Sequence, residues 1–398
     1  MTPDDTAPKI TPPDPALPGI DQLTEIVAKL RGPGGCPWDR EQTHATLRAG
    51  LIEEAHEVIA AIDNQDDANL REELGDLLLQ SVFHAQLAAE EGRFTFDDVA
   101  REIATKLVRR HPHVFAADHC ADSAAVLQRW EEIKRAEKGG APVSALDGIP
   151  GGSPWDREQT HATLRPGLIE EAHEVIAAID NQDDANLREE LGDLLLQAVM
   201  HAQLASEEGR FTFDDIAREI STKLVRRHPH VFAADHCADS AAVLTRWEEI
   251  KRAEKGGAPT SALDGLPGGL PALLHAQKTQ KKAARLGFDW PDAAPVFDKL
   301  HEEIAELRAE LAAPAASSPD IEDELGDLLF TVVNLARKLH LDAETALHRA
   351  TRKFATRFRA VEQLAAARGL VLEKMPLPEL DALWDEVKRL PPPDRAEA

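Results

Sequence analysis

Apolar residues recur along this chain at helical spacing. Leu51, Ala55, Val58, Ile59 and Ile62 fall on one face of a helix, and Leu74, Leu77, Leu78, Val82 and Ala85 on one face of the next. Between them DNQDDAN (63–69) carries residues that cap helices and bond their own backbone, so it predicts a turn. Phe96, Val99, Ile103 and Leu107 predict a third helix, which HPH (111–113) ends because Pro cannot continue it. Asp122 or Ser123 caps a fourth, running through Trp130 to about Lys138. A leading helix, IDQLTEIVAKLRG (20–32), precedes them all. Strand-like alternation is absent, and each unit reads as a small helical bundle: an all-α fold.

The pattern then repeats. Residues 36–152 match 153–269 at 107 of 117 positions, and the differences are mild, such as Phe83/Met200 and Ser81/Ala198. PGG precedes each copy, at 33–35 and 150–152, as a tandem duplication by slippage would leave it. The duplication omits the leading helix, so the second copy borrows a packing partner for it or does without. After residue 269 the sequence diverges but keeps the order: LPALLHAQKTQKKAARLGFDW, then LHEEIAELRAEL, then IEDELGDLLFTVVNLARKL. The expected organisation is a disordered tail (1–18), a first unit (19–152), a near-identical second unit (153–269), a diverged third unit (270–390) and a short tail (391–398). Bundles of this kind expose apolar faces that find a symmetric partner. The two copies are therefore expected to pair within the chain, or the chain to form a homo-oligomer.

The chemistry lies in EEAHE (53–57) and EELGD (72–76). Glu54 and Glu57 are one turn apart, as are Glu73 and Asp76. If the turn reverses the chain, the two pairs face one another roughly 10 Å from it at about 1.5 Å per residue. Four converging carboxylates repel unless something neutralises them, and all-oxygen ligands favour Mg²⁺, with Mn²⁺ as a substitute. The set recurs as Glu171, Glu174, Glu190 and Asp193, and in the third unit as Glu303, Glu306, Glu324 and Asp327. A single EExxE is common on a solvated helix face. Two spaced pairs recurring three times beside an apolar stripe are not.

Cations able to hold a polyphosphate follow in KLVRRHPH: Lys106, Arg109 and Arg110, then Lys223, Arg226 and Arg227. The third unit offers the stripe Arg349, Lys353 and Arg357. Taken alone, each basic run also reads as a solvated face. Trp38, Trp155 and Trp290 each precede an acidic helix, where they either stack on a base or close the bundle end. Trp130 and Trp247 read as core anchors.

Composition narrows the partners. A formal net charge of −26 repels a nucleic-acid polymer but not a small phosphorylated ligand held by local cations or metal. No apolar run approaches the roughly 18 residues a membrane helix needs. Cys36, Cys120 and Cys237 form no CxxC pair and read as reduced thiols in the cytoplasm. Ser153 stands where the first copy has Cys36, which argues against a nucleophilic thiol. Glu53-x-x-His56 suggests a di-iron centre, but the partner helix supplies ExxD and the third unit has Ala305 in place of His56. His111 and His113 lack nearby Cys partners for zinc.

With these residues together, the chain resembles the MazG-type nucleoside triphosphate pyrophosphohydrolases. Their pattern, EExxE followed by ExxD, stands here as EEAHE…ELGD twice and EEIAE…ELGD once. GCPWDREQT, EEGRFTFDD, RRHPHVF, RWEEIK, AQKTQKKAARLGFDW and KFATRF agree with it. The resemblance covers about residues 19–390. It implies tandem all-α bundles that split a nucleoside triphosphate into monophosphate and pyrophosphate with Mg²⁺, the metal lying on the carboxylates named above. In that reading Glu53 or Glu72 is placed to take the proton of the attacking water. Such proteins are expected to carry two units, so the extra copy is a departure. A different class remains open: a nucleotide-binding regulatory or scaffold protein with inactive units.

Overall fold

The computed structural model describes residues 10–115, 122–138, 153–254, 261–264, 266, 269–313 and 317–389. Cys120, the segment 139–152 and the tails 1–9 and 390–398 lie outside them. The described residues contain helices and no strand. The first copy runs α1 (Gly19–Arg31), α2 (Pro37–Glu41), α3 (His44–Asp63), α4 (Asp67–Glu90), α5 (Phe96–Arg110), α6 (Pro112–Phe115) and α7 (Ser123–Lys138). The second runs α8 (Pro154–Glu158), α9 (His161–Asn181), α10 (Asp184–Glu207), α11 (Phe213–Arg227), α12 (Pro229–Phe232) and α13 (Ser240–Glu254). The C-terminal unit runs α14 (Ala272–Arg285), α15 (Ala294–Ala312), α16 (Ser318–Lys338), α17 (Ala343–Ala367) and α18 (Leu377–Arg389).

Local chemistry sets these ends. Thr43 and Thr46 form a reciprocal cap on α3. The Asp66 carboxylate accepts the Asn69 N–H at 3.1 Å and opens α4, so the turn is only residues 64–66. Thr95 and Asp98 cap α5 reciprocally. Asp122, not Ser123, caps α7, accepting the Ala125 N–H at 2.9 Å.

The chain divides into two compact units, Met1–Leu270 and Pro271–Ala398. In the first, the two copies share one core. Hairpin α3–α4 packs on α9–α10, α5 of the first copy lies across α10, and α11 of the second lies across α4. The contacts are reciprocal. Arg48 pairs with Asp180 and Arg165 with Asp63; Arg93 meets Asp184 at 2.5 Å and Arg210 meets Asp67 at 2.6 Å. Such exchanged pairs mark an isologous interface, formed here within one chain.

Two glycines show how closely the copies approach. A Cβ on Gly75 would lie 3.1 Å from the Cβ of Ile220, and one on Gly192 would lie 3.1 Å from that of Ile103. The leading helix has one position rather than two: α1 packs on α11 and α4, burying Leu23, Ile26, Val27 and Leu30. Residues 10–18, grouped by sequence with a disordered tail, are held there. Arg218 of α11 donates to the carbonyls of Pro15 and Leu17, each at 3.0 Å.

The C-terminal unit pairs α15 with α16 and sets α14 against α16 and α17, while α17 lies chiefly on α18. Val361, Ala365, Leu383 and Val387 form its small core.

Candidate active site

Helices α3 and α4 present their acids toward each other just beyond the turn. One carboxylate oxygen from each of Glu54, Glu73 and Asp76 lies within 4.8 Å of the others. Glu57 sits beside them and shares a hydrogen bond with Glu73, a contact two carboxyls make only when one holds a proton. Burial first, then the neighbouring acids, raises Glu54 well above the usual carboxylate range and Glu73 to about 9. Burial likewise raises Asp76, against the opposing pull of Lys223.

The cation comes from the other copy. Lys223 of α11 pairs with Asp76 and, at 2.8 Å, with Glu72. Arg227 adds its charge to the same pair. Burial pushes Glu72 up, but the Lys223 hydrogen bond and charge outweigh it and leave its pKa lowered. Glu72 is thus committed to Lys223. The second copy mirrors this arrangement. Glu171, Glu190 and Asp193 group within 4.8 Å, and Lys106 of the first copy pairs with Asp193 and, at 2.8 Å, with Glu189. Burial, then neighbouring acids, raises Glu171 and Glu190 to about 8. Glu174 is exposed and outside the group. Lys106 and Lys223 therefore serve the opposite copy's carboxylates. Nothing in a single copy's spacing shows that crossing; the helix-interior Gly of ELGD is the signal that could have marked where the crossing helix lies.

Other sequence candidates fall differently. Arg226 and Arg227 meet Glu254 at 2.7 and 2.8 Å. In the C-terminal unit Glu303, Glu306 and Glu324 group within 4.8 Å, while Asp327 is exposed outside the group. Its described ion pair is Lys299 to Glu303 at 2.8 Å, from the same helix. Arg349 and Lys353 lie exposed, and Arg357 half-buried, on α17, which only edges α16. His56 bonds to the backbone of Gly269 instead of joining the carboxylates.

Beside Glu54 and Asp76 a cavity of about 180 Å³ opens between Val27 and Leu30 of α1, Phe83, Trp38 and Trp247. Trp38 meets Trp247 edge-on across the copies, centroids 4.9 Å apart, and Trp155 meets Trp130 at a tilt, 4.8 Å apart. Trp247, read from sequence as a core anchor, is thus a cavity wall, and Trp290 stands in the C-terminal unit. Beneath Trp38, buried Asp39 faces His228 of the second copy at 3.2 Å, with Cys36 alongside. Burial and Asp39 push the Cys36 thiol up, the opposite of an activated nucleophile. The His–Cys proximity missing from a linear reading of HPH is supplied by the other copy.

The donor set fits a hard divalent cation. Three carboxylates converge with Lys223 paired to Asp76, and in the second copy the buried Glu171 Oε2 has no hydrogen-bond partner. The MazG nucleotide pyrophosphohydrolase domain matches at residues 42–115, 159–232 and 295–361, each stretch holding one acidic group. The chain belongs to the MazG family. It is 52% identical over 239 residues to the nucleoside triphosphate pyrophosphohydrolase of Escherichia coli K12, an alignment covering 60% of this chain and 91% of that one. It is 46% identical over 240 residues to the nucleoside triphosphate pyrophosphohydrolase/pyrophosphatase MazG of Thermotoga maritima, covering 60% and 90%. Almost all of each MazG relative thus corresponds to three-fifths of this chain, which carries the additional copy. No described helix is long and apolar enough to cross a membrane.

Proposed function

We propose that this MazG protein splits nucleoside triphosphates into monophosphate and pyrophosphate at sites whose carboxylates come from one copy and whose cations come from the other. The supporting observation is the reciprocal pair Lys223 to Glu72 and Asp76, and Lys106 to Glu189 and Asp193, beside carboxylates that burial and mutual repulsion hold above their usual range. Mg²⁺, with Mn²⁺ as a substitute, would be held by Glu54, Glu73 and Asp76 with Glu57 beside them, by Glu171, Glu190 and Asp193, and by Glu303, Glu306 and Glu324. It would neutralise the triphosphate and acidify the attacking water. Lys223 and Arg227 orient the phosphates. The water oxygen bonds to phosphorus, the anhydride P–O bond breaks, pyrophosphate leaves, and the proton passes to a carboxylate. Glu53 and Glu72 are the candidate acceptors, and Glu72 is paired with Lys223 at 2.8 Å.

We also propose that the C-terminal unit pairs with a second copy of this chain. Leu74 and Leu78 are 0% exposed beneath the crossing helix, whereas their counterparts Leu325 and Leu329 are 45% and 49% exposed. A Cβ on Gly326 would meet no described atom within 4 Å, where Gly75 and Gly192 each meet an isoleucine. The occupant we propose for that exposed face is helix α17 of a second copy, whose Arg349, Lys353 and Arg357 are opposite in charge to Glu303, Glu306 and Glu324. The free thiols Cys36 and Cys237 suit the reducing cytoplasm.

The test is product analysis by anion-exchange chromatography over ribo- and deoxynucleoside triphosphates, with Mg²⁺ or EDTA. Metal-dependent monophosphate plus pyrophosphate supports the reading. Nucleotide binding without turnover favours a sensor or scaffold.

A further inference from the structure

The two copies are nearly identical in sequence, yet α1 stands over only one of their two sites. Its Val27 and Leu30 wall the cavity beside Glu54 and Asp76, and Arg31 lies over the Phe83 ring, 5.4 Å from its centroid. Among the described residues no helix packs on α5 as α1 packs on α11. The consequence is visible in exposure. Val82 is 2% exposed and its counterpart Val199 is 39% exposed. Ser221, on α11, is buried, while its counterpart Ala104 on α5 is exposed. Two of the few sequence differences fall here: Met200 replaces Phe83 and Ala104 stands opposite Ser221.

We propose that these two sites have different specificities. The site on Glu54, Glu73 and Asp76 selects its nucleotide through the base, in the α1-walled cavity. The site on Glu171, Glu190 and Asp193 takes the triphosphate with little regard to the base. The inference rests on the pyrophosphohydrolase reading for the phosphate end of the ligand. The physical reason for the difference is that discrimination between bases needs a closed wall, where a misfit group loses contacts or strands a buried polar atom. Carboxylates and a crossing lysine recognise only the triphosphate and its metal.

The test uses the full chain with Glu303→Gln throughout. Adding Glu171→Gln leaves the α1-walled site intact, and adding Glu54→Gln leaves the open one. For each, turnover of the four common ribonucleoside triphosphates and of inorganic tripolyphosphate is measured, and binding of the same ligands is followed by tryptophan fluorescence. The walled site is expected to discriminate among bases by about tenfold or more and to disfavour tripolyphosphate. The open site should treat all five within a few fold. Val27→Phe, which fills the cavity, should abolish discrimination at the walled site and leave the open site unchanged. Equal base discrimination by the two sites, in binding as in turnover, would overturn the inference. Absence of turnover with the binding difference retained would count against the pyrophosphohydrolase reading alone.

Discussion

Lys223, on the second copy of the repeat, makes its ion pairs with Glu72, at 2.8 Å, and Asp76 of the first. Lys106 of the first copy does the same with Glu189 and Asp193 of the second. Each acidic group therefore depends on a helix from the other copy, and the duplication encloses within one chain an interface of isologous form. The repeated PWDREQTHATL (37–47 and 154–164) thus belongs to a pair of units that complete one another.

Metal and acid repulsion are linked. In EDTA, Glu54→Gln should raise the thermal midpoint, because it removes one of the buried acids crowding Glu73 and Asp76. Mg²⁺ at a hundred times its dissociation constant should stabilise the unmodified protein by about 2.7 kcal/mol per occupied site. The same titration on Glu54→Gln/Glu171→Gln should give a much smaller shift, read by differential scanning calorimetry.

The interior glycines are expected to separate paired from unpaired helices. Gly75→Ala and Gly192→Ala each press a Cβ against an isoleucine of the other copy and should cost about 1–3 kcal/mol in denaturant unfolding. Gly326→Ala should stabilise the isolated protomer by up to about 1 kcal/mol through helix propensity. If α17 of a second copy covers that face, the same change should weaken the dimer in sedimentation equilibrium.

Two buried histidine pairs predict loss of stability in acid. His44 Nδ1 lies 2.8 Å from His84 Nδ1, and His161 Nδ1 lies 2.7 Å from His201 Nδ1. Burial, then its neighbour, lowers His84 to about 3; burial, then Arg93, lowers His44 to about 4. His201 is lowered to about 3 for the same reasons as His84. The folded state holds these rings neutral, while the unfolded chain protonates near pH 6.5. The contribution is therefore complete above pH 6.5 and lost as pH falls toward 4 and then 3. The unfolding free energy from denaturant titration should fall between pH 6.5 and 4.5 by about 2 kcal/mol for each of the fully buried rings, His84 and His201. His84→Gln should flatten that slope.

The helices, their ends and the acidic groups were legible because they are local. Period, caps and i, i+3 spacing lie within one stretch of chain, as Thr95 with Asp98 shows. The crossing of Lys223 onto Asp76 was not legible, because identical copies give the same spacing whether each completes itself or its twin. The Trp38–Trp247 contact and the Asp39–His228 pair escaped for the same reason. The fate of α1 was half legible. Its absence before the second copy could be read, but its placement on α11 follows from contacts such as the Gly19 N–H donating to Asp214 at 2.7 Å.

The most direct test of crosswise completion is a set of kinetic double variants in the full chain carrying Glu303→Gln. Lys223→Ala added to Glu171→Gln, where only the Glu54 site remains, should lower pyrophosphate release by at least about a hundredfold. Added to Glu54→Gln, where only the Glu171 site remains, it should change little, and Lys106→Ala should show the mirror pattern. If Lys223→Ala instead disabled the Glu171 site of its own copy and spared the Glu54 site, the crosswise account would be contradicted.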